Sequence, residues 1–213
     1  MLEGLKDDVL MVNDPVGIRN GHSKLQTLRF PEYCPSQMIA SNKKQVKRFL
    51  EKHGDIIMKP INSMGGRGVV RLKKGEQNLN SLSETMFKVF EGQLLLQSYI
   101  EDAHLGEKRV FIFNGEPHAA IIKKPKDGDF RGNITAGASI SECELTDHEK
   151  DVCQNLKPYL LENGLLFVGV DFLGGYILEI NSISPGAISW ANQVLQTPLE
   201  KTFWDVLTPL IKG

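Results

Sequence analysis

Cysteine is scarce in this sequence: Cys34, Cys143 and Cys153 are the only three in 213 residues, an odd number with no CxxC pair. That excludes a disulfide framework or a zinc ribbon and suits reduced thiols in the cytosol, each read as a small core hydrophobe rather than a nucleophile. Neither sign of charge dominates, since 25 Lys and Arg face 26 Asp and Glu for a formal net charge of −1. Nothing in that balance calls for nucleic acid or an anionic membrane as partner. No apolar run approaches the ~18 residues of a membrane span. The opening MLEGLKDDVLMV carries acids where a secretory signal needs an apolar block. The expected compartment is the cytoplasm. The five histidines (His22, His53, His104, His118 and His148) show no metal spacing, and no Ser-His-Asp arrangement is legible.

Hydrophobic residues make up 41% of the chain and charged residues 24%, at a length that fits one domain or two small subdomains. Strand and helix signals alternate without repeats or low-complexity stretches. A β-rich run at 9–12 ends in the turn Asn13-Asp14-Pro15, and helical spacing over 16–30 is stopped by Pro31. Extended residues 37–40 lead to a basic helix over 43–53, with Ser41 as cap and Gly54 as stop. Strands at 55–60 and 68–72 flank a glycine-rich connection, and a helix over 79–90 follows. Further β-rich runs lie at 94–100, 109–113 and 117–123, the last two joined by the hairpin signal Asn114-Gly115. Residues 125–139 read as a loop. A helix over 146–162 stops at Asn163-Gly164, strands at 166–173 and 176–180 turn on Gly174-Gly175, and an amphipathic helix over 198–211 closes the chain. Hairpins mixed with covering helices predict an α+β fold.

Three segments could carry chemistry. The loop Asn62-Ser63-Met64-Gly65-Gly66-Arg67-Gly68 joins two strands. Its glycines permit backbone angles that bring amide groups close to a ligand, an arrangement that suits phosphate. It is neither GxxxxGK[ST] nor GxGxxG, and a plain glycine-rich turn would look the same. Just before it, Lys59 shares a strand face with Ile57. A lysine on a half-buried face calls for an anion, or else it snorkels at the strand end. Second, Glu179 and Asn181 share one strand face, with Asp171 on the preceding strand. These oxygen donors suit magnesium together with substrate phosphates, although a solvated sheet face would also hold them. Third, Arg131 and Asn133 lie in the loop after Lys123-Lys124, where an arginine fork can clamp a carboxylate or a phosphoryl group. An exposed solubilising charge would read alike.

In combination these pieces resemble a known family. The order of strand-KP, glycine lid, hinge strand, basic loop and D…E-x-N is similar to that of the ATP-grasp ligases, in particular the bacterial glutathione synthetases. The resemblance covers nearly the whole chain through VNDPVGIRNGHSKL, DIIMKPINSMGGRGV, GEKRVFIFNGEP, FRGNITAGA and LLFVGVDFLGGYILEINSISPG. It implies an ATP-grasp fold, with two α/β subdomains sandwiching the nucleotide. The expected division is an N-terminal segment 1–20, a lid subdomain 21–97 and a C-terminal subdomain 98–213 with the magnesium site.

By that resemblance Lys24 and Lys59 would contact the ATP phosphates under a lid formed by Ser63, Met64, Gly65 and Gly66. Gln97, Tyr99 and Ile100 would meet adenine, Glu107 the ribose, and Arg109 belongs to the same nucleotide site. Asp171, Glu179 and Asn181 would bind magnesium, one ion or two, with manganese able to substitute. Arg131, Asn133 and Lys123 would act near the transferring phosphate and acceptor, and Ser184, Pro185 and Gly186 near the substrates. The implied reaction joins a carboxylate to an amine through an acyl phosphate, as when γ-glutamylcysteine and glycine form glutathione. It needs no protein nucleophile, only positioning and charge neutralisation.

Two departures are visible. The family's N-terminal domain is expected to be missing from this chain, which leaves specificity, a homo-oligomer or a partner chain supplying that domain open. Where the family commonly has an arginine before the FRGN-like loop, this chain has Lys123-Lys124, which keeps the charge but not the fork. The competing readings are a ligase for another amino acid or peptide, and a nucleotide-binding module that is degenerate or partner-dependent.

Overall fold

The computed structural model describes residues 2–5, 8–125 and 138–211. Helix α1 (Pro15–Asn20) opens on Asp14, whose Oδ1 accepts from the N–H groups of Val16 and Gly17 at 2.7 and 3.1 Å. It ends far short of residue 30, because Asn20-Gly21 breaks it. Short 3₁₀ turns at Gln26–Arg29 and Pro31–Tyr33 take its place. Residues 9–12 form no strand, and Val9, Leu10 and Val12 are exposed. A short β-rich run without a neighbouring strand has nothing to pair with.

This opening stretch packs on the second of two antiparallel sheets. Asn13 Nδ2 donates to the carbonyls of Phe167 and Ser182, both at 2.7 Å. The N–H of Ile180 donates to Ser23 O at 3.0 Å, and Phe30, Tyr33 and Cys34 join that sheet's core.

The first sheet has the order β1-β4-β2-β3, from β1 (Gln37–Ala40), β2 (Ile56–Pro60), β3 (Val70–Leu72) and β4 (Leu94–Ser98). Helices α2 (Lys43–His53) and α3 (Leu79–Val89) bury Val46, Phe49, Leu50 and Met86 against it. The cap of α2 is Asn42 rather than Ser41: Asn42 Oδ1 accepts from Gln45 N–H at 3.1 Å. β4 lies inside this sheet, with Leu94, Leu95 and Leu96 fully buried.

The second sheet has the order β7-β6-β5-β8-β9. Its strands are β5 (Glu107–Phe113), β6 (Glu116–Lys124), β7 (Ser139–Glu142), β8 (Phe167–Leu173) and β9 (Tyr176–Asn181). On one face lies α4 (Asp147–Glu162), which starts in a capping box of Thr146 and Glu149. Its Val152, Leu156 and Leu160 pack on Val110, Ile112, Val170 and Phe172. The other face places Phe111, Phe113 and Ile121 under Ala191 of α5 (Ile188–Ala191) and Leu199 of α6 (Leu199–Ile211). Side chains alternate across a strand, so Glu107 and Arg109 of β5 share the face of Phe111 and Phe113. That line of residues runs out from under the helices and ends in the candidate site.

Candidate active site

Both sheets, the stretch before Lys24 and the turn after β9 line one cleft of about 560 Å³, within the roughly 300–1,000 Å³ of small-molecule sites. Of the site residues expected from sequence, the cleft gathers Lys24, Lys59, Ser63, Met64, Gly65, Gly66, Gln97, Tyr99, Ile100, Glu107, Arg109, Lys123, Asp171, Glu179, Asn181, Ser184 and Gly186. Pro185 is not among the lining residues; its turn presents Ser184 and Gly186 instead. Arg131 and Asn133 lie outside the described residues.

The lysines come from both sides of the cleft. Lys59 is the penultimate residue of β2 in the first sheet and Lys24 follows the α1 region packed on the second, and both ammonium groups reach Glu179 Oε1, at 3.9 and 3.6 Å. Lys24 Nζ also donates to the carbonyl of Ser63, which ties the glycine loop to the opposite sheet's side of the cleft. Burial pushes the Lys59 ammonium below its usual range, and the neighbouring Lys24 adds to this against the pull of Glu179. The loop itself turns through left-handed backbone at Gly65, Gly66 and Gly68 (φ of 65°, 71° and 73°). A Cβ on Gly68 would lie 2.5 Å from Phe90 Cζ.

The second sheet's wall is a row of charged side chains on neighbouring strands. Lys123 stands opposite Glu107, Arg109 opposite Asp171, and Asp171 opposite Glu179. Arg109 holds Asp171 with a fork, Nε to Oδ1 at 2.6 Å and Nη2 to Oδ2 at 2.7 Å. Its Nη1 donates to the carbonyl of Gly186 at 3.1 Å, so one side chain fixes both the carboxylate and the turn after β9. Lys123 Nζ pairs with Glu107 and lies 3.3 Å from Asp171 Oδ1. Asn181 Nδ2 donates to Asp171 Oδ2 at 3.0 Å.

Burial alone would raise the Asp171 carboxyl, but Arg109 and then Lys123 hold it well below the usual range. Burial raises the Glu107 carboxyl, with Lys123 opposing the rise. Burial, then Lys24, lowers the His22 imidazole, which keeps it neutral near pH 7. The described charges lining the cleft are then four cations (Lys24, Lys59, Arg109 and Lys123) and three carboxylates (Glu107, Asp171 and Glu179), a surplus of one positive charge.

The hinge serves the fold as much as a ligand. The N–H groups of Ser98 and Tyr99 donate to the carbonyls of Ser36 and Asp55 at 2.8 and 2.9 Å. Gln97 is buried, its amide donating to Gln37 Oε1 at 3.0 Å. Arg71 lies 3.5 Å above the Tyr99 ring while its Nη2 meets Asp55 Oδ2 at 2.8 Å, locking hinge and β2 together.

Sequence reasoning missed the apolar lining residues Ile57, Val69, Leu173 and Leu178, and the positions of His22 and Trp190 in the cleft. Ile57 was within reach, since it shares a face with Lys59. Leu178 was not: Asp171 pairs with Glu179 and Phe172 with Ile177, so Leu178 is the extra residue of a bulge that strict alternation does not foresee.

The donor set fits a hard divalent cation in kind, because Glu179 and Asn181 expose oxygens to the cleft and Asp171 stands beside them. Asp171, however, already accepts four hydrogen bonds. A cation reaching it must displace one of those donors.

Two antiparallel sheets closing on a cleft, with a glycine loop and buried lysines over a carboxylate row, define an ATP-grasp domain. Residues 23–196 match the family described as prokaryotic glutathione synthetase, ATP-grasp domain, and the chain belongs to that family. It is similar to the glutathione synthetase of Brucella melitensis, with 35% identity over 207 residues, 97% of this chain and 66% of that protein. It is also similar to that of Thermosynechococcus vestitus, with 35% identity over 179 residues, 84% of this chain and 56% of that one. The chain therefore spans less than two thirds of the length of these relatives. Among solved structures the fold resembles a Chryseobacterium gregarium RiPP-associated ATP-grasp ligase in complex with ADP and a leader and core peptide (TM-score 0.72, 20% identity, 98% of this chain and 66% of that one). It also resembles D-alanine–D-alanine ligase from Bacillus anthracis complexed with ATP (TM-score 0.65, 15% identity, 100% and 75%).

Proposed function

We propose that this chain is the nucleotide-binding and catalytic part of an ATP-dependent carboxylate–amine ligase of glutathione synthetase type. The observation that carries the reading is the convergence of Lys24 and Lys59, both buried and from different elements, on Glu179 across one cleft. Two ammonium groups close together in a low-dielectric site repel each other. A polyphosphate tail relieves that repulsion and matches the positive surplus of the cleft. Apolar lining residues such as Ile57, Val69, Leu173 and Leu178 offer contacts to an adenine ring, and the glycine loop lines the same cleft, which supports its reading as a lid over the phosphates.

In this reading the donor carboxylate attacks the γ-phosphorus, ADP leaves and an acyl phosphate forms. The acceptor amine then attacks the acyl carbon, and phosphate leaves as the amide bond closes. Lys24 and Lys59 neutralise the charge that builds on the phosphate oxygens. Arg109 keeps Asp171 and the Ser184–Gly186 turn in register with each other. The loop around Ser63–Gly66 excludes water from the acyl phosphate. Glu179, Asn181 and Asp171 would hold magnesium, one ion or two with manganese as a substitute, and it would supply electrophilic activation of the phosphates. Arg131 and Asn133 belong near the acceptor. Free thiols at all three cysteines suit a cytoplasmic setting.

The test is ADP release from magnesium-ATP with γ-glutamylcysteine and glycine, extended to a panel of amino acids and short peptides. Turnover that needs both a carboxylate and an amine supports a ligase, and the productive pair names the substrates. The alternative reading holds that the cleft binds nucleotide but needs a partner chain, or a second copy, to turn over. Tight magnesium-ATP binding without ADP release for any pair would select it.

A further inference from the structure

Asp171 carries an unusual load for a residue cast as a metal ligand. An ionised carboxylate offers about four lone-pair positions. Here Arg109 takes two of them, Asn181 a third and Lys123 the fourth. Three of these donors are held firmly. The Arg109 fork is bidentate at 2.6 and 2.7 Å and anchored again at Gly186 O, and Asn181 sits two residues along the strand from Glu179, at 3.0 Å. Lys123 differs in every respect. Its contact with Asp171 is single and the longest of the set at 3.3 Å. Its stem is flexible, and it has a second partner in Glu107, directly opposite on the neighbouring strand. Arginine, with its rigid fork, would not be released as readily as a lysine's point charge.

Resting on the ligase reading above, we propose that Lys123 is an internal stand-in for the divalent cation. Its ammonium satisfies Asp171 while no metal is bound, and it yields that position to the incoming ion while keeping Glu107. The positive charge beside Asp171 is thereby never absent, so the buried carboxylate is not left facing Arg109 alone on one side and an empty cleft on the other. The consequence is competition: metal affinity is lower than the oxygen donors alone would give, and Lys123 sets how much lower. The residue is a positioning residue for the metal site, and its effect is on binding rather than on a proton or bond in the reaction.

The experiment measures Mn²⁺ binding by electron paramagnetic resonance, with saturating ADP and no acceptor, so that no turnover is involved. The variant is Lys123→Met combined with Glu107→Gln, which deletes the ion pair without altering net charge and leaves no unpaired carboxylate. Bulk electrostatic attraction for the cation is then the same as in the unaltered protein. Affinity for Mn²⁺ is expected to rise about tenfold, the change that ~1.4 kcal/mol of lost competition produces. Unchanged or weaker binding overturns the proposal. Lys123→Gln in the Glu107→Gln background is the second variant, to be read in the same way if the methionine variant does not fold. If the unaltered protein binds ADP but no Mn²⁺, the proposal falls while the nucleotide-site reading stands. If it binds neither, the ligase reading falls with it.

Discussion

Arg109 and Asp171 stand directly opposite each other on β5 and β8 and are joined by two parallel hydrogen bonds of 2.6 and 2.7 Å, both side chains buried. The remaining nitrogen of the same guanidinium holds Gly186 O. Arg109 therefore links the carboxylate row to the turn that follows β9.

Removing the arginine leaves a buried carboxylate with only Lys123 and Asn181 as partners. Arg109→Met is expected to destabilise the fold by about 3–5 kcal/mol, the range for breaking one side of a buried pair. Urea denaturation measures this; a loss below 1 kcal/mol would mean the fork contributes little.

The same pair sets a pH dependence. The Asp171 carboxyl titrates lower in the folded chain than in the unfolded one, so its stabilisation is complete above the ordinary aspartate value of about 4. It drains away as the pH falls further, because the unfolded chain takes up the proton first. Thermal melts between pH 6 and pH 3 should show this acid loss in the unaltered protein and a shallower one in Asp171→Asn.

Lys59 is destabilised by its burial, and removing it should separate folding from ligand binding. Lys59→Met is expected to melt no lower than the unaltered protein while losing nucleotide affinity about 30-fold or more, as the ~2 kcal/mol lower bound for a buried charged contact implies. Calorimetric titration with ADP and a melt of the free protein check both halves. Binding should also weaken as the pH rises toward 10, beginning earlier than an ordinary lysine at about 10.4 would dictate, because it is the protonated Lys59 that attracts the anion.

Gly169 gives the Arg109 side chain its place. A Cβ there would lie 2.9 Å from Nη1 and 3.1 Å from Cδ of Arg109. Gly169→Ala is expected to push the guanidinium off Asp171 and lower activity tenfold or more, in line with the ~10²-fold that a 1 Å misplacement can cost. The fold should stay intact by circular dichroism, and full activity would show that the fork is dispensable.

Glu179 is the carboxylate that both Lys24 and Lys59 reach, at 3.6 and 3.9 Å. Glu179→Gln keeps its volume and removes that charge, so magnesium-dependent turnover should vanish while far-UV circular dichroism is retained. Persisting metal-dependent ADP release would remove Glu179 from the metal site.

Much of this architecture is written locally. The capping box of Thr146 and Glu149 starts α4 where the pattern says it should, and Asn114-Gly115 turns β5 into β6. Glu179 and Asn181 share a face by strand periodicity alone. Where local signals were weak, tertiary demands took over. The spacing over 16–30 suggests one helix, yet Lys24, Gln26 and Thr27 are buried among polar partners near β9, and a continuous helix could not aim them there. Leu178 enters the cleft through a bulge that only strand pairing reveals.

By itself the amino-acid order determined the elements, their alternation and the residue types available for chemistry, because caps, turns and periodicity act over a few residues. Only the tertiary structure decided which charges meet. Lys24 and Glu179 are 155 positions apart, Arg109 and Asp171 are 62 apart, and their encounters depend on register and sheet order. Coulomb energy falls with distance in space, not along the chain, and the contact of Lys59 with Glu179 across the cleft exists only once the two sheets have closed on it.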